Sequence, residues 1–292
     1  MSLFQRILFP FDFSEPAKSL AASVAAMARR FDASVDVLNC FHFAPDYVVA
    51  PRFHETEAPR PAAIPYTAEV QELRRQRVEE LDRFAAEALE GIRWRARLED
   101  GDPARAIEWV AQHEKTDLIM MATRGVGRFR RLMLGSVAAK ILHDVQCPVW
   151  TNVHGAEDGM PAATRYRSIL CAVSLGPASE ATLRMAGRFA REWGAQLCLL
   201  HIDAPRAAEP ERAVMEAIRR GFEEAMGTEM PGELPRVRIL DAPVPEGIRH
   251  EAVEEGADLL VVGRGHLRGD LGRAWSHVYE VIRESPCPVL SV

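Results

Sequence analysis

Four landmarks occur twice in this chain, in the same order, and the repetition limits its fold more than any other feature. Arg6-Ile7-Leu8-Phe9-Pro10 returns as Ser168-Ile169-Leu170-Cys171-Ala172, and Phe31-Asp32-Ala33-Ser34 to Leu38 as Trp193-Gly194-Ala195-Gln196 to Leu200. Asp117-Leu118-Ile119-Met120 returns as Asp258-Leu259-Leu260-Val261, and Cys147-Pro148-Val149 as Cys287-Pro288-Val289. Ile7 and Ile169 lie 162 residues apart, but Asp117 and Asp258 only 141, so the first copy carries about twenty extra residues. The proline-rich segment Phe43 to Pro65 is the place for them. It is either a lid over a ligand or a loose excursion. A duplicated chain of 292 residues has ample length for two cores.

Each copy alternates short apolar runs with amphipathic helical stretches. In the first, Ile7-Leu8-Phe9 is a strand, and Ser14 caps a helix with Leu20, Val24, Met27, Ala28 and Phe31 on its inner face. Ser34 to Phe41 is the second strand. A long charged helix from about Ala68 turns Val78, Leu81, Ala85 and Ala88 inward. Trp94 to Leu98 is a third strand, and Asp102-Pro103 opens a helix, with proline where its missing N–H costs nothing. Strands separated by helices form parallel sheets covered on both faces. The expected architecture is therefore α/β: two tandem doubly wound domains, each a five-stranded parallel sheet with helices on both faces. Residues 1–153 form the first, 154–166 a glycine- and proline-containing linker, and 167–292 the second. Ligands of such sheets bind beyond the carboxyl ends of the strands, where the strand order reverses.

Composition narrows the function classes. A net charge of −6 disfavours a nucleic-acid surface. No apolar run approaches the ~18 residues that span a bilayer, and the N-terminus has no signal-peptide pattern, so a cytoplasmic protein without membrane contact is expected. The five cysteines contain no C-x-x-C pair and sit in strand-like runs, which favours buried reduced thiols. The nine histidines show no close-spaced ligand pattern, and no metal site is expected. His42 and His201 are read as matching residues at the ends of the second strands, more in keeping with a structural than a chemical role.

Chemistry concentrates in one stretch. The strand-like Asp117 to Met121 is followed by Ala122-Thr123-Arg124-Gly125-Val126-Gly127, then Arg128 to Leu134, then Gly135-Ser136 opening a helix at Val137. Glycines let the backbone approach an anion, and free N–H groups and the helix dipole favour negative charge there. Arg124, Arg128, Arg130 and Arg131 cluster beside this loop in an otherwise acidic chain. They serve either to steer polyphosphate or as a solvated loop surface. No P-loop is present, and Gly263-Arg264-Gly265 lacks the third glycine of a dinucleotide fingerprint.

This stretch resembles the universal stress protein signature: a glycine, two residues, a second glycine, nine residues, then Gly-Ser or Gly-Thr. Gly125, the nine residues Val126 to Leu134, and Gly135-Ser136 fit it; Ala122 stands in place of the first glycine. Were that position to need positive φ, alanine would cost roughly 1–2 kcal/mol. Pro10-Phe11-Asp12-Phe13-Ser14 and Gln146-Cys147-Pro148-Val149 resemble the flanking family segments, and the likeness covers nearly the whole chain as two tandem domains of the adenine nucleotide alpha hydrolase-like fold. The resemblance implies an ATP site, with or without Mg2+, in the first domain. Asp12, beside Pro10 and Phe11, would hold the ribose, and Cys40 would lie against adenine. Met121, Ala122, Arg124, Gly125, Gly127, Arg128, Gly135, Ser136 and Val137 would surround the phosphates. Each has a plainer role open to it: Asp12 as a helix cap, Cys40 as strand filler, Gly135 as a packing glycine and Ser136 as a cap.

The second copy departs at the same points. Ser174 replaces the aspartate, and Trp275-Ser276 stands where Gly135-Ser136 stood. That copy is expected to be degenerate and structural or partner-facing. No general base or nucleophile stands out, so any ATP hydrolysis would be slow. The implied function is a nucleotide-responsive stress regulator; the alternative is a non-nucleotide interaction module of the same fold. The resemblance also implies edge-to-edge pairing of the closing strands, Pro148 to Val153 and Pro288 to Val292, as an internal pseudo-dimer. A further homodimer and other protein partners stay open.

Overall fold

The computed structural model describes residues 2–41, 67–123, 134–152, 164–176, 179–203, 211–230, 233–264 and 273–292. The insertion Phe43 to Pro65 and the glycine loop 124–133 lie outside these residues. The first half contains β1 (Arg6–Pro10), α1 (Glu15–Phe31), β2 (Ser34–Phe41), α2 (Ala68–Ala88), β3 (Trp94–Asp100), α3 (Pro103–His113), β4 (Leu118–Ala122), α4 (Ser136–Asp144) and β5 (Val149–Asn152). The second repeats the order with β6 (Ser168–Ala172), α5 (Glu180–Trp193), β7 (Gln196–Asp203), α6 (Glu211–Met226), β8 (Arg236–Asp241), α7 (Val244–Glu254), β9 (Leu259–Val262), α8 (Arg273–Glu284) and β10 (Val289–Ser291).

The strands form one ten-stranded sheet in the order β3-β2-β1-β4-β5-β10-β9-β6-β7-β8. Pairing is parallel within each half and antiparallel where the closing strands meet, with Leu290 opposite Trp150. Consecutive residues Ile7, Leu8 and Phe9 are all buried because helices cover both faces. On one face Phe4, Phe9, Phe31, Leu81, Trp150, Tyr166, Phe189 and Phe222 form a core running through both halves. On the other, Leu8, Ile107, Ile141, Leu142, Ile248, Leu260 and Ile282 do the same. Phe4 meets Phe31 edge-on at 5.1 Å and Phe189 at 6.4 Å, and Arg30 lies 5.7 Å over Trp193. The buried Trp150 indole donates to the Tyr166 hydroxyl at 3.0 Å.

Ser14 caps α1, its hydroxyl accepting from Ala17 N, and Asp102 caps α3 through Arg105 N. The inner face of α2 differs from the one expected. Val70, Leu81 and Ala85 are buried, but Val78 is 38% exposed. The stripe runs 70, 74, 77, 81, 85, at helical steps of three or four, and Val78 falls one residue off it. Arg74 and Arg77 occupy the stripe instead, with their guanidinium groups over the rings of Phe41 (5.5 Å) and Phe13 (4.6 Å).

Each outer end of the sheet carries an ion-pair network, and the two are related by the duplication. In the first half Arg95 bonds Asp36 twice at 2.8 Å and Glu114 at 3.1 Å, and Arg97 bonds Glu114. In the second, Arg236 bonds Glu255 and Arg238 bonds Glu251 at 2.8 Å. Hydrogen bonding, from Arg95 first, holds the Glu114 carboxyl below its ordinary value of 4.5. A lowered folded-state pKa gives stabilisation that is complete above the unfolded value and disappears as pH falls through the folded one. Glu114→Gln should therefore melt below wild type at pH 7 and converge with it in acid well below pH 4.5. A melting-temperature gap of constant size across that range would refute this origin.

Candidate functional site

Strand β1 has β2 on one side and β4 on the other, so the strand order reverses between β1 and β4. At such a switch point the two chain segments leaving the carboxyl ends diverge and open a crevice. Asp12 follows β1, and Thr123 follows β4.

Beyond β1, Pro10 is half-buried. Phe11 is buried, stacks on Phe84 at 3.8 Å and donates its N–H to Leu38 O at 2.8 Å. The chain then turns through Phe13 at φ +62°, a left-handed conformation that bulky residues seldom adopt. The turn leaves Asp12 exposed between buried Phe11 and Ser14. Asp12 Oδ1 accepts from Ser14 N (3.1 Å) and Ser14 Oγ (2.5 Å), while Oδ2 has no partner among the described residues. Ser14 is the helix cap, and Asp12 orients it.

At the end of β2, buried Asn39 donates to Phe11 O at 2.6 Å, tying the β1 exit to β2. Cys40 is half-buried, its sulfur 4.0 Å from Pro103 O at the start of α3. Burial, and then the neighbouring carboxylates Glu99, Asp102 and Asp100, push its thiol up to about 12. Cys40 is thus a neutral apolar surface at the crevice edge.

Beyond β4, Met121 is buried among the residues under α3 and α4. Ala122 ends the strand and does not take positive φ, so its lack of glycine freedom costs nothing. Buried Thr123 is held from both N (3.4 Å) and Oγ1 (3.1 Å) by Asn152 O. The chain returns to the same point twelve residues on: Gly135 N donates to Thr123 O at 2.8 Å, and a Cβ on Gly135 would lie 3.0 Å from that oxygen. Gly135 is the N-cap of α4 and supplies no side-chain cap. Since its own N–H is engaged, the open donors of the α4 first turn belong to Ser136, Val137 and Ala138. Ser136 is exposed and Val137 half-exposed. Arg124, Gly125, Gly127 and Arg128 lie outside the described residues, as do Arg130 and Arg131.

Arg74 and Arg77 were not legible as site residues in the sequence, because a charged residue in a long charged helix reads as solvated surface. Their signal is positional: both fall on the helical stripe begun by Val70, where an inward aliphatic would be expected.

The corresponding place in the second half is built differently. Ser174 Oγ is 3.1 Å from Ser179 Oγ, which in turn donates to Ser174 O at 2.7 Å. Trp275 lies in the first turn of α8. His201 donates from Nδ1 to Val173 O at 3.0 Å, the same bond that Asn39 makes to Phe11 O. The match to His201 is therefore Asn39 and not His42, which lies outside the described residues; sheet register confirms it, since Leu38 pairs with Pro10 and Leu200 with Ala172.

Cys198, Glu251 and Glu255 gather their ligand atoms within 4.8 Å of one another. Their two carboxylates are already paired with Arg238 and Arg236, and burial pushes the Cys198 thiol up to about 12. The trio is an ion-pair network beside an un-ionised thiol. No helix among the described residues is long and apolar enough to cross a membrane.

A duplicated doubly wound sheet, with an aspartate and a helix N-terminus without a side-chain cap at its switch point, defines a tandem α/β protein class. The universal stress protein family model matches residues 3–151 and again 165–292, and the chain belongs to that family as a tandem two-domain member. A universal stress protein of Thermus aquaticus is 35% identical over 150 residues, covering 50% of this chain and 97% of its own length. The crystal structure of a universal stress protein from Archaeoglobus fulgidus superposes with a TM-score of 0.71 at 21% identity, covering 99% of this chain and 97% of that one. One from Pseudomonas aeruginosa gives 0.60 at 17% identity, covering 99% and 93%.

Proposed function

We propose that this universal stress protein binds ATP, with or without Mg2+, at one site in its first half and acts as a nucleotide-responsive regulator. The observation that carries this is the pairing of two features at one switch point. Asp12, with an open carboxylate oxygen, follows β1, and the α4 N-terminus, with three open N–H groups, follows the neighbouring β4. A carboxylate suits paired ribose hydroxyls, and a helix N-terminus suits phosphate. The close approach at Gly135, where a Cβ would crowd Thr123 O, keeps that end of the helix bare. Arg77 lies over the ring of Phe13, the residue after Asp12, and pairs with Glu80 at 3.5 Å. In the second half the Ser174 hydroxyl is occupied and Trp275 replaces the glycine, which supports a single site.

Calorimetric titration of nucleotide-stripped protein with Mg-ATP tests the reading. One site per chain is expected, weakened at least tenfold in Asp12→Ala. Two sites per chain would refute the single-site reading. No heat and no thermal stabilisation by any adenine nucleotide would replace it with that of an interaction module.

A further inference from the structure

Helix α4 is nine residues long, too short to be stable alone, so its position depends on what holds it. Gly135 N on Thr123 O fixes its start from within the first half. Lys140 pairs with Asp102 of the first half at 3.8 Å and the helix packs against α3, while two further hydrogen-bonding side chains reach its backbone from the second half. Tyr279 of α8 donates its hydroxyl to Ala139 O at 2.9 Å. At the far end, Arg264 reaches across from the residue pair that follows β9. Its Nη1 donates to Leu142 O (3.1 Å) and Val145 O (2.8 Å), and its Nη2 to Gln146 O (3.4 Å) and Cys147 O (2.8 Å).

Arg264 is only 7% exposed and, among the described residues, faces carbonyl oxygens and no carboxylate. Burying a guanidinium is costly unless its donors are all used, and a helix C-terminus, with orphan carbonyls and partial negative charge, satisfies it well. The brace runs in one direction. By the spacing from Asp117 and Asp258, the residue corresponding to Arg264 is Thr123, whose hydroxyl bonds within its own half. The preceding Gly263 passes so close to α5 that a Cβ would lie 2.7 Å from Thr182 Oγ1, which sets where Arg264 departs.

We propose that Arg264 is a positioning residue for the first-half site. By clamping the C-terminal end of α4 it fixes the N-terminal end that meets the phosphates, and the degenerate half serves the site of its neighbour. This rests on the nucleotide reading above. Its positive charge at the negative end of the helix dipole also leaves the opposite end free to favour an anion.

The test compares affinities for Mg-ATP and AMP in wild type, Arg264→Gln and Arg264→Lys, all in the full chain. An effect carried by α4 falls on the phosphate chain. Arg264→Gln should lose about fivefold or more in ATP affinity, with AMP changed much less, so the ATP-to-AMP ratio contracts. Arg264→Lys, which keeps the charge but fewer of the four bonds, should lie between the two. Equal loss for both nucleotides, or an unchanged ratio in a folded variant, overturns the proposal. If Arg264→Gln fails to fold, the Arg264→Lys ratio decides alone, and an unchanged ratio there overturns it. Wild type that binds neither nucleotide overturns the functional reading and this proposal with it, whereas wild-type binding with unchanged variants overturns this proposal only.

Discussion

Gly135→Val is expected to abolish measurable ATP binding while the protein stays folded. A Cβ at this position meets the Thr123 carbonyl oxygen at 3.0 Å, and valine adds two methyl groups beyond it. Thr123 has little room to yield, since Asn152 O holds it from both N and Oγ1. The start of α4 must therefore move, and the Gly135 N to Thr123 O bond lengthens with it. Overpacking of this kind costs about 1–3 kcal/mol, which lowers the melting temperature of a chain this size by only a few degrees. The effect on binding is larger because N–H donors must stand within a few tenths of an ångström of the phosphate oxygens they meet. Gly135→Ala should show a milder loss in the same direction. Circular dichroism and Mg-ATP calorimetry on the two variants check this. Full affinity in a folded Gly135→Val would show that the helix start takes no part in binding.

Much of the fold could be read from the sequence because its determinants are local or repeated. Ser14 ahead of Pro16 is a helix start wherever it occurs, and it caps α1 here. The paired landmarks made the alternation of strand and helix legible twice, and the closing strands sit side by side as the resemblance implied. The inner face of α2 was legible at Leu81 and Ala85 but not nearer its start, where two arginines over aromatic rings take the inward positions and Val78, which hydrophobicity alone turns inward, is exposed. The match of His201 to Asn39 was hidden because the two side chains share a hydrogen bond and no chemical likeness. Arg264 was the least visible. It stands in a short Gly-Arg-Gly segment that reads as loop, and its partners lie more than a hundred residues away in the other half. Of the candidate site, the residues flanking the strands were findable from motif and position. That Gly135 N is already engaged depended on the loop closing back on Thr123, which no spacing reveals.

Cys198→Asp is expected to destabilise the second half strongly, and adding Glu251→Val should restore most of what is lost. The reason lies in how the duplicated ion networks diverged. Asp36 pairs in register with Arg95, and Cys198 with Arg236, so the first half has a strand carboxylate where the second has a thiol. Glu114 and Glu255 correspond, each directly following its helix. Four residues before them stand Val110, fully buried, and Glu251, only 1% exposed. Each half thus sets two carboxylates against two arginines, but the second carboxylate sits on the strand in one and on the helix in the other. Aspartate at 198 alone would place three acids against Arg236 and Arg238, in a site where burial already disfavours charge. A cost of about 2–4 kcal/mol is reasonable for a buried unpaired acid. Glu251→Val alone leaves Arg238 without its carboxylate, but that arginine is half-exposed and water covers it, so about 1 kcal/mol is expected. Together the two changes rebuild the first-half arrangement, and the double variant should be more stable than the sum of the singles by about 2 kcal/mol or more. Urea unfolding of the four proteins measures that coupling. Additive costs would mean that the two networks are unrelated solutions, and that the matching places of Asp36 and Cys198 carry no shared electrostatic role.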